Sequence, residues 1–227
     1  MGAARRKWVP TRRVGTREHR KPGMSTTNTI RSDSPTEHFD QRVYLHGIRW
    51  QDYESLLAMR GESSGTRVTY LDGELELMTP SIDHEDLRTR LGRLLFAYAE
   101  ETGIELEGFG SWTVRKEAKA RGIEADECFV MGPITRPPEI PDLACEVIWT
   151  SGGIDKLEVC RGLGVPEVWF WKDGALRIYV LEGDAYTQSQ RSRLLPNLDP
   201  DLIVRFMAYP SQTQAVRGLR AALRSDD

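Results

Sequence analysis

Apolar residues recur at helical spacing most clearly in "HEDLRTRLGRLLFAYAEETG", where Leu87, Leu91, Leu94, Leu95 and Tyr98 form one stripe. Asp83 stands before this stretch as an N-cap and Gly103 closes it. Upstream, Tyr53, Leu56, Leu57 and Met59 predict a shorter helix over Trp50 to Met59, stopped by Gly61. "RVTYLDGELELM" reads as two strands around Asp72-Gly73, the strongest two-residue hairpin signal. "IELEGFGSWTVRK" reads as one or two strands, "ARG" as a turn, "IEADECFVM" as a strand and "GPITRPPEIP" as a loop.

"DLACEVIW" is apolar on both faces apart from its Glu, the signature of a central strand covered on both sides. "IDKLEVCRGL" predicts a short helix with a Schellman ending at Gly164-Val165. "PEVWFW" and "ALRIYVLEG" pair around Lys172-Asp173-Gly174, "DAYTQSQRS" adds an edge strand, and "AVRGLRAALR" a terminal helix. Trp169 and Trp171 alternate on their strand and share one face of the core. The order after residue 83 predicts an α/β sandwich around a mixed sheet. Residues 1–40, rich in Ser, Thr, Arg and Pro and without periodicity, predict disorder. The domain is expected over residues 41–210, with a helix and tail over 211–227.

With 227 residues, 39% of them hydrophobic, the chain can bury one core. No apolar run approaches the roughly 18 residues of a membrane span, and no apolar segment follows the basic N-terminus as in a secretory signal. Cys128, Cys145 and Cys160 are odd in number and widely spaced among apolar neighbours. They predict small buried hydrophobes of a reducing, cytoplasmic compartment and argue against thiolate zinc.

The net charge of −3 conceals an asymmetry: residues 1–23 hold eight basic residues and one acidic, which leaves 23 basic against 33 acidic in the rest. Two readings are open for the basic segment. It is a nucleic-acid arm, or it is upstream sequence translated ahead of a start at Met24. An acidic body argues against tight non-specific DNA binding.

Two carboxylates fall among apolar residues. Period-2 alternation puts Asp142, Ala144, Glu146 and Ile148 on one face of their strand, opposite Leu143, Cys145, Val147 and Trp149. In "IEADECFVM" either Asp126 or Glu127 points into an apolar layer, and periodicity leaves the choice open. Such a pair of acids on adjacent strands suits Mg²⁺, which takes oxygen ligands and keeps waters for a phosphate. The alternative is a buried ion pair of Glu146 with Lys156 or an Arg.

Four strings in order, "YLDGELELMTPSIDHE", "GIEADECFV", "PDLACEV" and "GVPEVWFW", resemble the Uma-type family of restriction endonucleases within the PD-(D/E)XK nuclease superfamily. The resemblance spans roughly residues 40 to 210. It implies a helix–strand–strand–strand–helix–strand core with a mixed sheet flanked by helices. It implies Asp126 and Glu146 as metal ligands, Glu74 as a third ligand, and His84 as a phosphate contact. Glu74 has the alternative of a solvated hairpin residue like its neighbour Glu76, and His84 that of a structural hydrogen-bonder.

The superfamily's lysine position is Ile148 here, and the resemblance implies a replacement, Lys156, from the following helix. The family's serine-rich turn appears as "TSGG", with Thr150 and Ser151 as caps and Gly152-Gly153 loosening it. The implied activity is a Mg²⁺-dependent endonuclease on DNA, with Mn²⁺ as substitute and no membrane partner. Superfamily nucleases often pair as dimers to cut both strands, so a homodimer is compatible. Two other readings are kept: a decayed member acting as a binding module, and another metal-dependent phosphoester hydrolase.

Overall fold

The structure, a computed structural model, describes residues 38–61, 65–136, 138–148 and 153–225. The expectations for residues 1–37, Trp149, Thr150, Ser151 and Gly152 lie outside the described residues.

The chain begins with β1 (Gln41–Leu45), α1 (Trp50–Arg60), β2 (Arg67–Leu71) and β3 (Glu74–Thr79). Asp72 and Gly73 take φ of +48° and +92°, the left-handed values that a two-residue hairpin turn demands. α2 (Ile82–Thr102) carries the long apolar stripe and is followed by β4 (Leu106–Gly110), β5 (Thr113–Lys116), β6 (Arg121–Glu124) and β7 (Glu127–Met131). β8 (Leu143–Ile148), α3 (Lys156–Leu163), β9 (Glu167–Lys172), β10 (Ala175–Glu182) and β11 (Ala185–Ser189) come next. α4 (Pro200–Met207) and α5 (Gln212–Ser225) close the described chain.

These strands form two sheets, ordered β1-β3-β2-β6-β5 and β11-β10-β9-β8-β7-β4. The first is antiparallel throughout; in the second, β8 and β9 run parallel and the other neighbours antiparallel. Parallel neighbours need a crossover, which α3 supplies. Along α2-β4-β7-β8-α3-β9 the chain has the helix–strand–strand–strand–helix–strand order and the mixed sheet that the resemblance implied.

"IEADECFVM" is not one strand. It breaks at Ala125-Asp126, with β6 in the first sheet and β7 in the second. Periodicity could not reveal this, because both halves are buried and the alternation runs on through the break. "IELEGFGSWTVRK" divides the same way, β4 joining the second sheet and β5 the first.

Both faces of the second sheet are covered. On one, Leu91, Leu94, Leu95 and Tyr98 of α2 pack with Phe129, Leu143, Cys145, Val147, Trp169 and Trp171, joined by Phe206 of α4 and Leu219 of α5. On the other, Ala144 and Val168 meet Val159, Cys160 and Leu163 of α3, together with Val114 and Ile123 of the first sheet. Each large apolar side chain so buried contributes about 1.5–3 kcal/mol. Burial of all three cysteines without a disulfide matches their apolar surroundings in sequence. Among the described residues no helix is long and apolar enough to cross a membrane.

Three boundaries differ from the sequence reading. The cap of α2 is Ser81, whose hydroxyl accepts the His84 N–H at 3.2 Å, rather than Asp83. The cap of α3 is Asp155, which accepts the Glu158 N–H at 3.1 Å. Asp40, expected in a disordered lead-in, is buried and accepts the Ser81 N–H at 2.9 Å. α5 belongs to the core through Ala215 and Leu219, and α4 adds a helix that the apolar pattern had not signalled.

Glu167 opens β9 fully buried and accepts hydrogen bonds from Trp169 Nε1 at 2.6 Å, Ser192 Oγ at 2.6 Å and the Arg193 N–H at 2.8 Å. Removing such an acceptor strands its donors. Glu167→Ala is expected to lower the free energy of unfolding by about 3 kcal/mol, read from urea melts. A loss under about 1 kcal/mol would show that water replaces the carboxylate.

Candidate functional site

Asp126 sits at the break between β6 and β7, where one extended run changes sheets, and its side chain is sealed from solvent. Its Oδ2 accepts the Val147 N–H at 2.8 Å, which fixes it against β8 beside Glu146. Arg67 Nε of β2 lies 2.9 Å from Oδ1, and His84 Nε2 of α2 lies 3.0 Å from Oδ2. The other nitrogen of His84 is 3.1 Å from Asp40 Oδ2, so the imidazole bridges two carboxylates.

Glu146 projects from the face of β8 that also carries Ala144, toward α3, as the alternation requires. It is fully buried, and its Oε2 lies 2.5 Å from Lys156 Nζ. Lys156 is the first residue of α3, and its side chain is only 6% exposed. Asp126, Glu146 and Lys156 therefore converge, with the lysine delivered by the helix that follows β8. Ile148, at the strand position where the superfamily has its lysine, is a half-buried apolar residue.

The other candidates fall differently. Glu74 stands apart: it is exposed at the start of β3 and pairs with the exposed His46. Glu76, expected in solvent, is buried; its Oε2 accepts the Ile154 N–H at 3.3 Å and faces Arg42 Nη1 at 3.5 Å. His84 is buried between the Asp40 and Asp126 carboxylates and does not face solvent at the helix start. Glu127 turns the other way and pairs with Arg88 at 2.5 Å, which settles the register in favour of Asp126.

Sequence reasoning missed Glu76, Arg67, Arg42 and Asp40. The available signal was a charge inside a strand pattern at Arg67 and Glu76. Alternation placed Glu74 and Glu76 on one face without showing that only the second is buried.

Charge interactions order the protonation states. Burial would raise the Asp126 carboxyl, but Lys156, His84 and Arg67 hold it well below the ordinary carboxylate range. Burial dominates at Glu146 and pushes its carboxyl up despite Lys156, with the charge of Asp126 adding to the rise. Burial would lower the Lys156 ammonium, yet Glu146 and Asp126 keep it raised and protonated. His84, which burial alone would lower, is raised to about 9 by its two carboxylates and is an imidazolium at neutral pH.

Glu146 Oε1 is a buried oxygen without a hydrogen-bond donor, whereas Asp126 Oδ1 carries the ion pair with Arg67 Nε. Among the described residues no set of three or more His, Cys, Asp or Glu side chains comes together to hold a metal. What remains is a two-carboxylate donor set, which fits Mg²⁺, since that ion takes one or two carboxylates and fills its octahedron with water and phosphate oxygens. A cavity of about 230 Å³ lined by Arg67, Glu85, Arg88 and Ser111 abuts the cluster through Arg67.

The family model described as "putative restriction endonuclease", Uma2, matches residues 50–209. The chain belongs to the Uma2 family. A crystal structure described as a putative nuclease belonging to DUF820, from Anabaena variabilis ATCC 29413, is similar to 76% of this chain and 99% of its own. The two share 12% sequence identity at a TM-score of 0.48. No curated protein matches the chain.

Removing one partner of a buried pair leaves the other charge uncompensated. Lys156→Met is expected to cost about 3–5 kcal/mol of stability, and the double replacement Glu146→Leu with Lys156→Met to recover most of it. Chemical denaturation of the three variants measures this cycle. Independent, additive losses would contradict a direct Glu146–Lys156 pair.

Proposed function

We propose that the chain is a Mg²⁺-dependent endonuclease that hydrolyses phosphodiester bonds of DNA. The observation that carries this reading is the convergence of Asp126, Glu146 and Lys156, with Glu146 Oε1 left without a hydrogen-bond donor. Membership of the Uma2 family supports it.

Asp126 Oδ1 and Glu146 Oε1 would hold the cation, which when bound supplies a water of lowered pKa and neutralises charge growing on the phosphoryl group. The surrounding side chains have separate tasks. Arg67 and His84 keep Asp126 ionised, the form in which it can donate electron pairs. Lys156 places a point charge where it can orient the attacking water or a non-bridging phosphate oxygen. Arg67, which lines the adjoining cavity, would turn its guanidinium to the incoming phosphate. The water oxygen bonds to phosphorus as the opposite P–O bond breaks in line; the attacking water gives up one proton to solvent, and the released oxygen takes up one proton from solvent.

A second reading is favoured by one observation. Arg42, Arg67, His84 and Lys156 already balance Asp40, Glu76, Asp126 and Glu146 without any added cation. On that reading the cluster is structural, and the protein is a binding module on a nuclease fold.

Incubation with supercoiled plasmid and with single-stranded DNA in Mg²⁺ or Mn²⁺ separates the two. The nuclease reading expects nicking that falls by a factor of at least about 10² in Asp126→Ala and in Glu146→Ala, and by about 10- to 100-fold in Lys156→Ala. Wild-type protein that nicks no faster than the Asp126→Ala/Glu146→Ala double variant in either metal would overturn the nuclease reading.

A further inference from the structure

Lys156 reaches Glu146 only if the chain between β8 and α3 returns it to the sheet, and that return is fastened from outside the two elements. Three observations meet at Glu76. Its side chain is buried and comes from β3, in the first sheet, whereas Glu146 belongs to the second. Its Oε2 accepts the N–H of Ile154, two residues before Lys156. The chain also passes directly against it at Gly153, where φ is +115° and a Cβ would overlap Glu76 Oε2 and approach Arg42 Nη1 to 2.9 Å. Only glycine combines that backbone angle with so close an approach.

We infer that Glu76 is a positioning residue for Lys156: with Arg42 it clamps the Gly153–Ile154 turn, and so sets where α3 begins and where its first side chain points. Arg42 holds the clamp from β1, facing Glu76 at 3.5 Å and Asp40 at 3.4 Å. Asp40 in turn bridges to His84 and so to Asp126. One chain of contacts therefore sets the lysine and the first acid together. Glu76 also lies close enough for its charge to help hold the buried Lys156 ammonium, behind the larger effects of Glu146 and Asp126. The inference rests on the nuclease reading for its chemical meaning, but the placement of Lys156 does not, and the test reads that placement without metal or DNA.

The full chain is exposed to acetic anhydride, and acetylation of Lys156 is followed by peptide mass spectrometry, with the remaining lysines as internal standards. In the wild type, Lys156 is expected to react slowly because it is buried and paired. Glu76→Leu removes the acceptor for Ile154 and is expected to raise its labelling on the order of tenfold over the other lysines. Glu76→Gln keeps an oxygen for the Ile154 N–H and is expected to restore protection to within about twofold. Equal protection of Lys156 in the wild type and Glu76→Leu would overturn the inference, as would a Gln variant no better protected than Leu.

If Glu76→Leu labels every lysine alike, the variant has lost its fold, and Gly153→Ala decides the matter with Glu76 intact. Selective exposure of Lys156 then supports the clamp, and unchanged protection overturns it. Plasmid nicking by the same preparations separates the two claims. A protected Lys156 in an inactive wild type would leave the clamp standing and remove the nuclease reading.

Discussion

A carboxylate buried in a central strand has to be neutralised, and here the neutralising ammonium comes from the first residue of the next helix. The Glu146–Lys156 contact therefore ties β8 to the first turn of α3. An isolated buried charge costs several kcal/mol, so neither partner is free to drift. The parallel pairing of β8 with β9 requires a crossover in any case, and α3 provides it. The helix thus has two tasks at once: it closes the crossover and it carries the cation into the sheet. Its far end is fixed by Gly164 at φ +84°, with the Gly164 and Val165 N–H groups both bonded to the Cys160 carbonyl.

The second constraint is the change of sheet at Asp126. Because β6 and β7 belong to different sheets, the residue between them is presented to both. Its partners accordingly come from three places: Arg67 of β2, His84 of α2 and the Val147 N–H of β8. A side chain held from three elements is preorganised, and the cations among its partners keep it charged although it is buried. The same cations set the terms for any divalent ion, which must displace or share the contact of Arg67 with Oδ1.

Much of this was legible in the sequence, for identifiable reasons. The stripe of α2, the Asp72-Gly73 turn, the double-sided apolar run of β8 and the Schellman ending of α3 are local signals, and each produced the element expected of it. The face of Glu146 followed from period-2 alternation alone. Lys156 was offered by the residues as one ion-pair partner for Glu146 beside an Arg, and its role as the replacement lysine came from the family resemblance, since spacing along the chain does not say whether a helix folds back on its strand. The sheet change at Asp126 was hidden because hydrophobic alternation does not report hydrogen-bond partners. Glu76, Arg67 and Arg42 were hidden for a related reason. Each is a charge on a strand, and only tertiary pairing distinguishes a solvated charge from a buried, compensated one. For His84 a place near a helix start suggested a phosphate contact beside the structural alternative, and tertiary pairing puts Asp40 and Asp126 against its two nitrogens.

The central claim is that the two buried acids Asp126 and Glu146 form a divalent-cation site. Calorimetric titration of Mn²⁺ into the protein without DNA tests it most directly. The account predicts one binding event per chain that is lost in Asp126→Asn and in Glu146→Gln and retained in Glu74→Ala. A titration without a binding event in the wild type, or one that persists in both acid variants, would show that these carboxylates serve only to balance the cations around them.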